Sequence, residues 1–143
     1  MSVKILGGLA KGQSLFVPKG DKVRPTSVML RRRIFDAHQH WHGVTFIDAC
    51  AGSGAMGFEA WSRGASEVIL VEADRKVFHT LKRNITKIEE GNKNILDDMG
   101  SITCSNQPFE KWLDFFRNTY SSWSEEQQSE CVIFFDPPNH LLA

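Results

Sequence analysis

Short apolar runs set between polar, glycine-marked turns recur along the chain, and from residue 44 onward they alternate with stretches of helical periodicity. Thr45 to Ala49, Glu67 to Glu72, Ser101 to Cys104 and Cys131 to Phe135 predict buried strands. Between them, Ala55 to Arg63, Arg75 to Ile88 and Pro108 to Phe116 predict helices, the second with Phe78, Leu81, Ile85 and Ile88 on one side. Asn118 to Glu130 is hydrophilic and predicts a loop. Ahead of this alternation, Val3 to Leu6 and Ser14 to Val17 predict a hairpin. Pro25-Thr26-Ser27 then offers helix-start chemistry before an apolar stripe of Val28, Leu30, Ile34 and Phe35. Strand and helix in alternation predict an α/β fold with a mostly parallel, Rossmann-like sheet, preceded by a β-hairpin and helix appendage.

A chain of 143 residues, 41% of them apolar, suits one domain with one core. No apolar run approaches the roughly 20 residues of a membrane span, and Met1-Ser-Val-Lys4 does not open a secretory stretch, so a cytoplasmic address and no membrane partner are expected. Cys50, Cys104 and Cys131 lie far apart in or beside strand-like runs and read as small buried residues, not as a disulfide framework or a zinc site. His38, His40 and His42 alternate near a helix end, which does not converge them on a metal. Trp112, Phe115 and Phe116 have helical spacing and read as core. The net charge is zero but unevenly laid out: residues 1–44 carry eight basic and two acidic residues, and the remainder carries nine and fifteen. A basic arm for a polyanion, residues 1–43, beside a cofactor-binding body, residues 44–143, is the organisation this predicts.

The run Phe46-Ile-Asp48-Ala49-Cys-Ala-Gly52-Ser53-Gly54-Ala-Met-Gly57 ends a strand in an acid and a G-x-G-x-x-G turn. Such glycines permit a tight turn and close approach to a ligand, and the next helix points its positive end at it. Glu72 follows Gly52 by the roughly 20 residues expected of an acid that binds ribose hydroxyls. To this point a dinucleotide would fit. Asp48 discriminates, because a carboxylate beside the loop would repel a pyrophosphate. It suits S-adenosylmethionine, which carries an ammonium and a sulfonium and no phosphate.

The last strand runs into Asp136-Pro137-Pro138-Asn139 at the carboxyl end of the sheet, where ligands of such folds bind. Prolines stiffen the turn and hold the carboxylate in place. The exocyclic amine of a base is a poor nucleophile, its lone pair being delocalised into the ring. Hydrogen bonds from it to Asp136 and to the Pro137 carbonyl would orient that lone pair for methyl transfer.

Taken together, Ile5-Leu-Gly7-Gly8, Lys11-Gly12, Arg24-Pro25-Thr26, Arg31 with Ile34-Phe35, the block from Asp48 to Ala65, Val71-Glu72-Ala73-Asp74-Arg75 and Phe135-Asp-Pro-Pro138 resemble the RsmD family of S-adenosylmethionine-dependent methyltransferases. That family modifies the N2 amine of a guanine in bacterial small-subunit (16S) ribosomal RNA, within a partly assembled subunit. The resemblance implies a class I methyltransferase fold. It implies a cofactor site of Asp48, Ala49, Gly52, Ser53, Gly54, Glu72 and Ala73, with Asn106 and Gln107 by the adenine. Asp136, Pro137, Pro138 and Asn139 would receive the guanine amine, and Lys11, Arg24, Thr26 and Arg31 would meet RNA.

The chain departs from the family at Asn139-His140, where a stacking aromatic is usual, and at Arg32, where an acid is usual. The family's sheet has seven strands and this chain carries four, so a 3-2-1-4 sheet is expected, lacking the last strands. Its fourth strand would lie at an open apolar edge, covered by self-association or by a further segment. Two other functions fit the same residues: methylation of DNA or of another amine, since Asp-Pro-Pro serves adenine and cytosine equally, and a non-catalytic cofactor- or RNA-binding remnant.

Overall fold

The computed structural model describes residues 2–19 and 27–137. An antiparallel hairpin, β1 (Ser2–Lys4) and β2 (Ser14–Phe16), is followed by α1 (Val28–Ala37), β3 (Thr45–Asp48), α2 (Ala55–Ser62), β4 (Glu67–Val71) and α3 (Arg75–Gly91). Then come β5 (Ser101–Ser105), α4 (Phe109–Ser121), α5 (Glu125–Ser129) and β6 (Cys131–Phe134). The main sheet runs β5-β4-β3-β6 with every pairing parallel, which is the expected 3-2-1-4 order.

A parallel sheet must be covered on both faces, and strand alternation divides the residues accordingly. Phe46, Val68, Leu70, Ile102 and Phe134 face one core, shared with Phe35, Trp61, Leu81 and Ile88 of α1, α2 and α3. Val3, Ile5 and Leu15 of the hairpin region belong to that same core, so the amino-terminal segment packs directly on the α/β body. Ile47, Ile69 and Val71 face the other side, against Trp112 and Phe116 of α4. This second face is more open. Ile133 and Phe135, at the free edge formed by β6, are 46% and 53% exposed.

Three expectations need correction. Residues 118–130 are not a loop: α4 continues to Ser121, and α5 is opened by a reciprocal Ser124–Gln127 capping box. Aromatic residues at four-residue spacing explain the longer helix, since the rings of Trp112, Phe116 and Tyr120 meet in succession and Trp123 closes edge-on against Phe116. Phe115 does not join the core but stands 72% exposed, being about 100° around the helix from Phe116. In α1 the expected stripe is wrong at its start: Val28 and Leu30 are exposed, and the inward positions are Arg31 and Phe35. The three cysteines are half-buried, and burial raises each thiol pKa.

Candidate active site

The site forms where β3, β4 and β6 end. Asp48 closes β3 and is 2% exposed, its Oδ1 accepting the Cys50 N–H at 3.3 Å. Burial pushes its carboxyl up to about 7, and the nearby Glu72 and Asp136 carboxylates push the same way. Ala49 is buried, its N–H bonded to the Phe134 carbonyl, so the loop leaves the sheet beside β6. The chain then turns through Gly52 and Ser53 to Gly54, which stands at φ +89° as the cap residue of α2, with its N–H on the Ala51 carbonyl. A side chain there would be strained in backbone and would strike the Phe58 ring. Gly57, one turn on, lies so close to Leu70 of β4 that a Cβ would overlap it, which is how α2 reaches the sheet. The first N–H groups of α2 have no side-chain cap and point toward the loop.

Glu72 holds this loop rigid. One carboxylate oxygen accepts the Gly52 N–H at 2.9 Å and the other accepts the Asp74 N–H at 2.9 Å, leaving each oxygen a further lone pair for a hydroxyl. Asn106, after β5, donates to the carbonyls of Glu72 and Ala73, tying the third strand's end to the second's. Gln107 turns back to the Ser105 hydroxyl at 2.6 Å and does not join the acids. Asp136 is exposed and Pro137 half-buried, at the end of β6. Pro138, Asn139, Arg24 and Thr26 lie outside the described residues.

Three carboxylates therefore surround one glycine loop, and among the described residues no Lys or Arg comes within ion-pair distance of any of them. This donor set fits a ligand that brings its own positive charge and hydroxyls, and it disfavours phosphate. It also disfavours thiol chemistry: burial, with the same acids adding to it, pushes the Cys50 thiol up to about 12, leaving no thiolate at neutral pH.

Residues 3–142 match the model of the family described as Conserved hypothetical protein 95. The chain belongs to that family, the RsmD family. It is similar to the ribosomal RNA small subunit methyltransferase D of Haemophilus influenzae, 31% identical over an alignment of 144 residues that covers 97% of this chain and 65% of that protein. Among solved structures, a hypothetical protein of Thermus thermophilus matches with TM-score 0.73 and 30% identity over 96% of this chain and 70% of that one. The proposed methyltransferase yhhF of Escherichia coli matches with TM-score 0.64 and 29% identity, over 79% and 56%. The RsmD-family chain spans about 60–65% of the length of the curated relatives it matches. Its four parallel strands and flanking helices are the Rossmann-like, class I methyltransferase fold.

One expected RNA contact is corrected by the structure. Arg31 is 0% exposed: its Nη1 donates to Glu59 Oε1 at 3.1 Å and to the Lys4 carbonyl at 2.9 Å. It sits one turn before Phe35 on the inward face of α1, where the Glu59 carboxylate compensates its charge. Lys11 is exposed in the turn between β1 and β2. His38, His40 and His42 are exposed, and among the described residues no three potential metal ligands converge.

Two residues of this RsmD-family chain matter more than sequence reasoning credits. Glu59, fully buried in α2, accepts the Leu6 and Gly7 N–H groups and pairs with Arg31 and Arg63. Asn84, fully buried in α3, bonds the Phe16 N–H and carbonyl and the Ser53 carbonyl, joining the hairpin to the glycine loop. The signal for each is a polar residue inside an apolar face: Asn84 lies between Leu81 and Ile88 on the stripe Val77, Leu81, Asn84, Ile88.

Asn84→Ala is expected to cost about 2–3 kcal/mol in urea unfolding, because three backbone groups, the Ser53 carbonyl buried and the Phe16 N–H and carbonyl partly so, lose their buried partner. A change below about 0.5 kcal/mol, the usual range for uninvolved surface sites, would contradict the role. For Asp48 the sign follows from its raised pKa. An acid that is harder to ionise folded than unfolded contributes stability that is present below about pH 4 and lost as the pH rises through about 7. The stability of the unliganded parent relative to Asp48→Asn should therefore fall between about pH 5 and pH 8. An equal difference at both ends in urea melts would show that the carboxyl is not so perturbed.

Proposed function

We propose that the chain binds S-adenosylmethionine at the glycine loop and is the cofactor-binding part of an enzyme that methylates the N2 amine of a guanine in small-subunit ribosomal RNA. The observation that carries this reading is the convergence of Asp48, Glu72 and Asp136 on a glycine loop with no basic side chain among the described residues to neutralise them. The names of the relatives, ribosomal RNA small subunit methyltransferase D, support the choice of substrate.

When bound, the cofactor supplies an electrophilic methyl group on a sulfonium. The chain's own residues do the rest. Asp48, with the loop from Ala49 to Gly54, holds the charged methionine end. An ammonium placed there favours the ionised form of Asp48, so binding below pH 7 releases a proton. Glu72 accepts from the ribose hydroxyls with the lone pairs that Gly52 and Asp74 leave free, and the Ala73 and Asn106 segment borders the adenine. Gln107, turned toward Ser105, would reach the adenine only by rotating away from it. Asp136 accepts an N–H of the guanine amine, with the Pro137 carbonyl as its second acceptor, which aims the nitrogen lone pair at the methyl carbon.

Transfer of labelled methyl groups from S-adenosylmethionine to undermethylated small ribosomal subunits tests the proposal, run with this chain and with a version extended to its relatives' length. Label in the RNA at a guanine N2 is the expected result. Label only in DNA, in salt-sensitive fashion, would favour the alternative amine methyltransferase.

A further inference from the structure

We propose that the outer face of α3, together with Phe16 of β2, forms a second RNA-binding surface, a groove that takes a single-stranded stretch with its phosphates on Lys82, Arg83 and Lys87 and a base on the Phe16 ring. The groove has a volume of about 540 Å³ and lies away from the acidic site. Phe16 forms its floor and is 38% exposed. The Arg83 guanidinium lies 4.4 Å and the Lys87 ammonium 4.6 Å from the ring centroid, while Lys82 and His79 line the adjoining wall.

Long basic side chains often cover an aromatic ring simply to shield it. Two observations argue for more here. The Phe16 ring cannot sink into the core to escape water, because both its N–H and its carbonyl are bound by the buried Asn84. Nor are the cations neutralised: among the described residues neither Lys82, Arg83 nor Lys87 is in ion-pair range of a carboxylate, and Glu90 is the acid that lines the groove. Lys87 is positioned by a 2.8 Å hydrogen bond to the Ser14 hydroxyl. His79, Arg83 and Lys87 recur every four residues, so they share one face over about 12 Å of helix. Drawn off the Phe16 ring onto phosphates, Arg83 and Lys87 would leave a face of that ring to a base, so a row of unpaired cations over a partly exposed aromatic ring matches the two features of a single strand, a charged backbone and a stacking base. An acidic polypeptide would use the first and leave the second idle.

The inference rests on the RNA-modifying reading for the identity of the polyanion, and the test separates the two. Fluorescence anisotropy with a fluorescein-labelled single-stranded RNA of mixed sequence is compared for the parent chain and Lys82→Gln/Arg83→Gln/Lys87→Gln. A control of equal charge loss is Lys93→Gln/Lys111→Gln/Arg117→Gln, which lies outside the groove. The groove variant should bind at least about tenfold more weakly, and its log–log salt slope should shrink by about 2, the release expected from three phosphate contacts. The control should lose markedly less. Equal losses in the two variants, no RNA binding by the parent, or equally tight binding of poly-glutamate would overturn the proposal. Photo-crosslinking of 4-thiouridine RNA to the unaltered chain guards against a misfolded variant: crosslinks at Phe16 or in residues 79–90 support the groove, and crosslinks exclusively elsewhere overturn it. Cofactor binding is measured separately by calorimetry. Its absence would sink the methyl-transfer reading and leave the groove standing.

Discussion

Asp136→Ala should lower methyl transfer about 10²-fold or more while S-adenosylmethionine still binds, because the carboxylate acts on the incoming amine and not on the cofactor. Asp136 is exposed at the end of β6, and its charge raises the Asp48 pKa, so its removal eases the ionisation of Asp48. Cofactor affinity should therefore change little, the easier ionisation of Asp48 offsetting the loss of one of the three negative charges beside the cationic ligand. Asp136→Asn keeps one acceptor and should fall between the parent and the alanine variant. Single-turnover transfer with saturating cofactor, alongside calorimetric binding, separates the two quantities. An alanine variant as active as the parent would leave the carboxylate with no part in the reaction. A parent chain that binds cofactor and RNA without turnover would point to the non-catalytic remnant.

The largest effect on stability is expected at Glu59→Ala, about 3–5 kcal/mol, enough to unfold a marginal domain. Four groups lose their acceptor at once: the Leu6 and Gly7 N–H groups, Arg31 and Arg63. Arg31 is the costliest, since it is fully buried and among the described residues its Nε and Nη2 have no hydrogen-bond partner, so without Glu59 its charge is uncompensated. Adding Arg31→Met to Glu59→Ala removes that charge and should recover part of the loss, a non-additivity that a double-mutant cycle in urea reads directly. A single Glu59→Ala cost under about 1 kcal/mol would mean that water or the neighbouring chain already satisfies these groups.

The alternation of strands and helices, the glycine turn and the acid after β4 are legible in the sequence because each rests on local chemistry: hydrophobic periodicity, a positive-φ glycine, a carboxylate at fixed spacing, whereas the 3-2-1-4 order of the sheet follows from the family resemblance. Residues 118–130 mislead because their many Ser, Glu and Gln residues suggest a loop when counted by composition. The Phe116–Tyr120–Trp123 contacts that extend and seal this region emerge only when side chains are placed. Arg31 misleads for a related reason. Its charge and the family resemblance assign it to an RNA-facing surface, and its partner lies 28 residues away in α2, in a helix otherwise made of apolar and small residues. The hairpin's union with the glycine loop is equally hidden, since Asn84 links residues 68 and 31 positions apart.

All eight residues of α2 are buried, so this helix has no solvent side at all. Its beginning carries the glycine loop, its middle carries the hairpin through Glu59, and its end receives Gly7 and Ala10 on Ser62. A post gripped along its whole length cannot hinge. Whatever the hairpin and α3 hold is thus kept at a set offset from whatever the loop holds, and the molecule works as a jig whose gauge is fixed by packing.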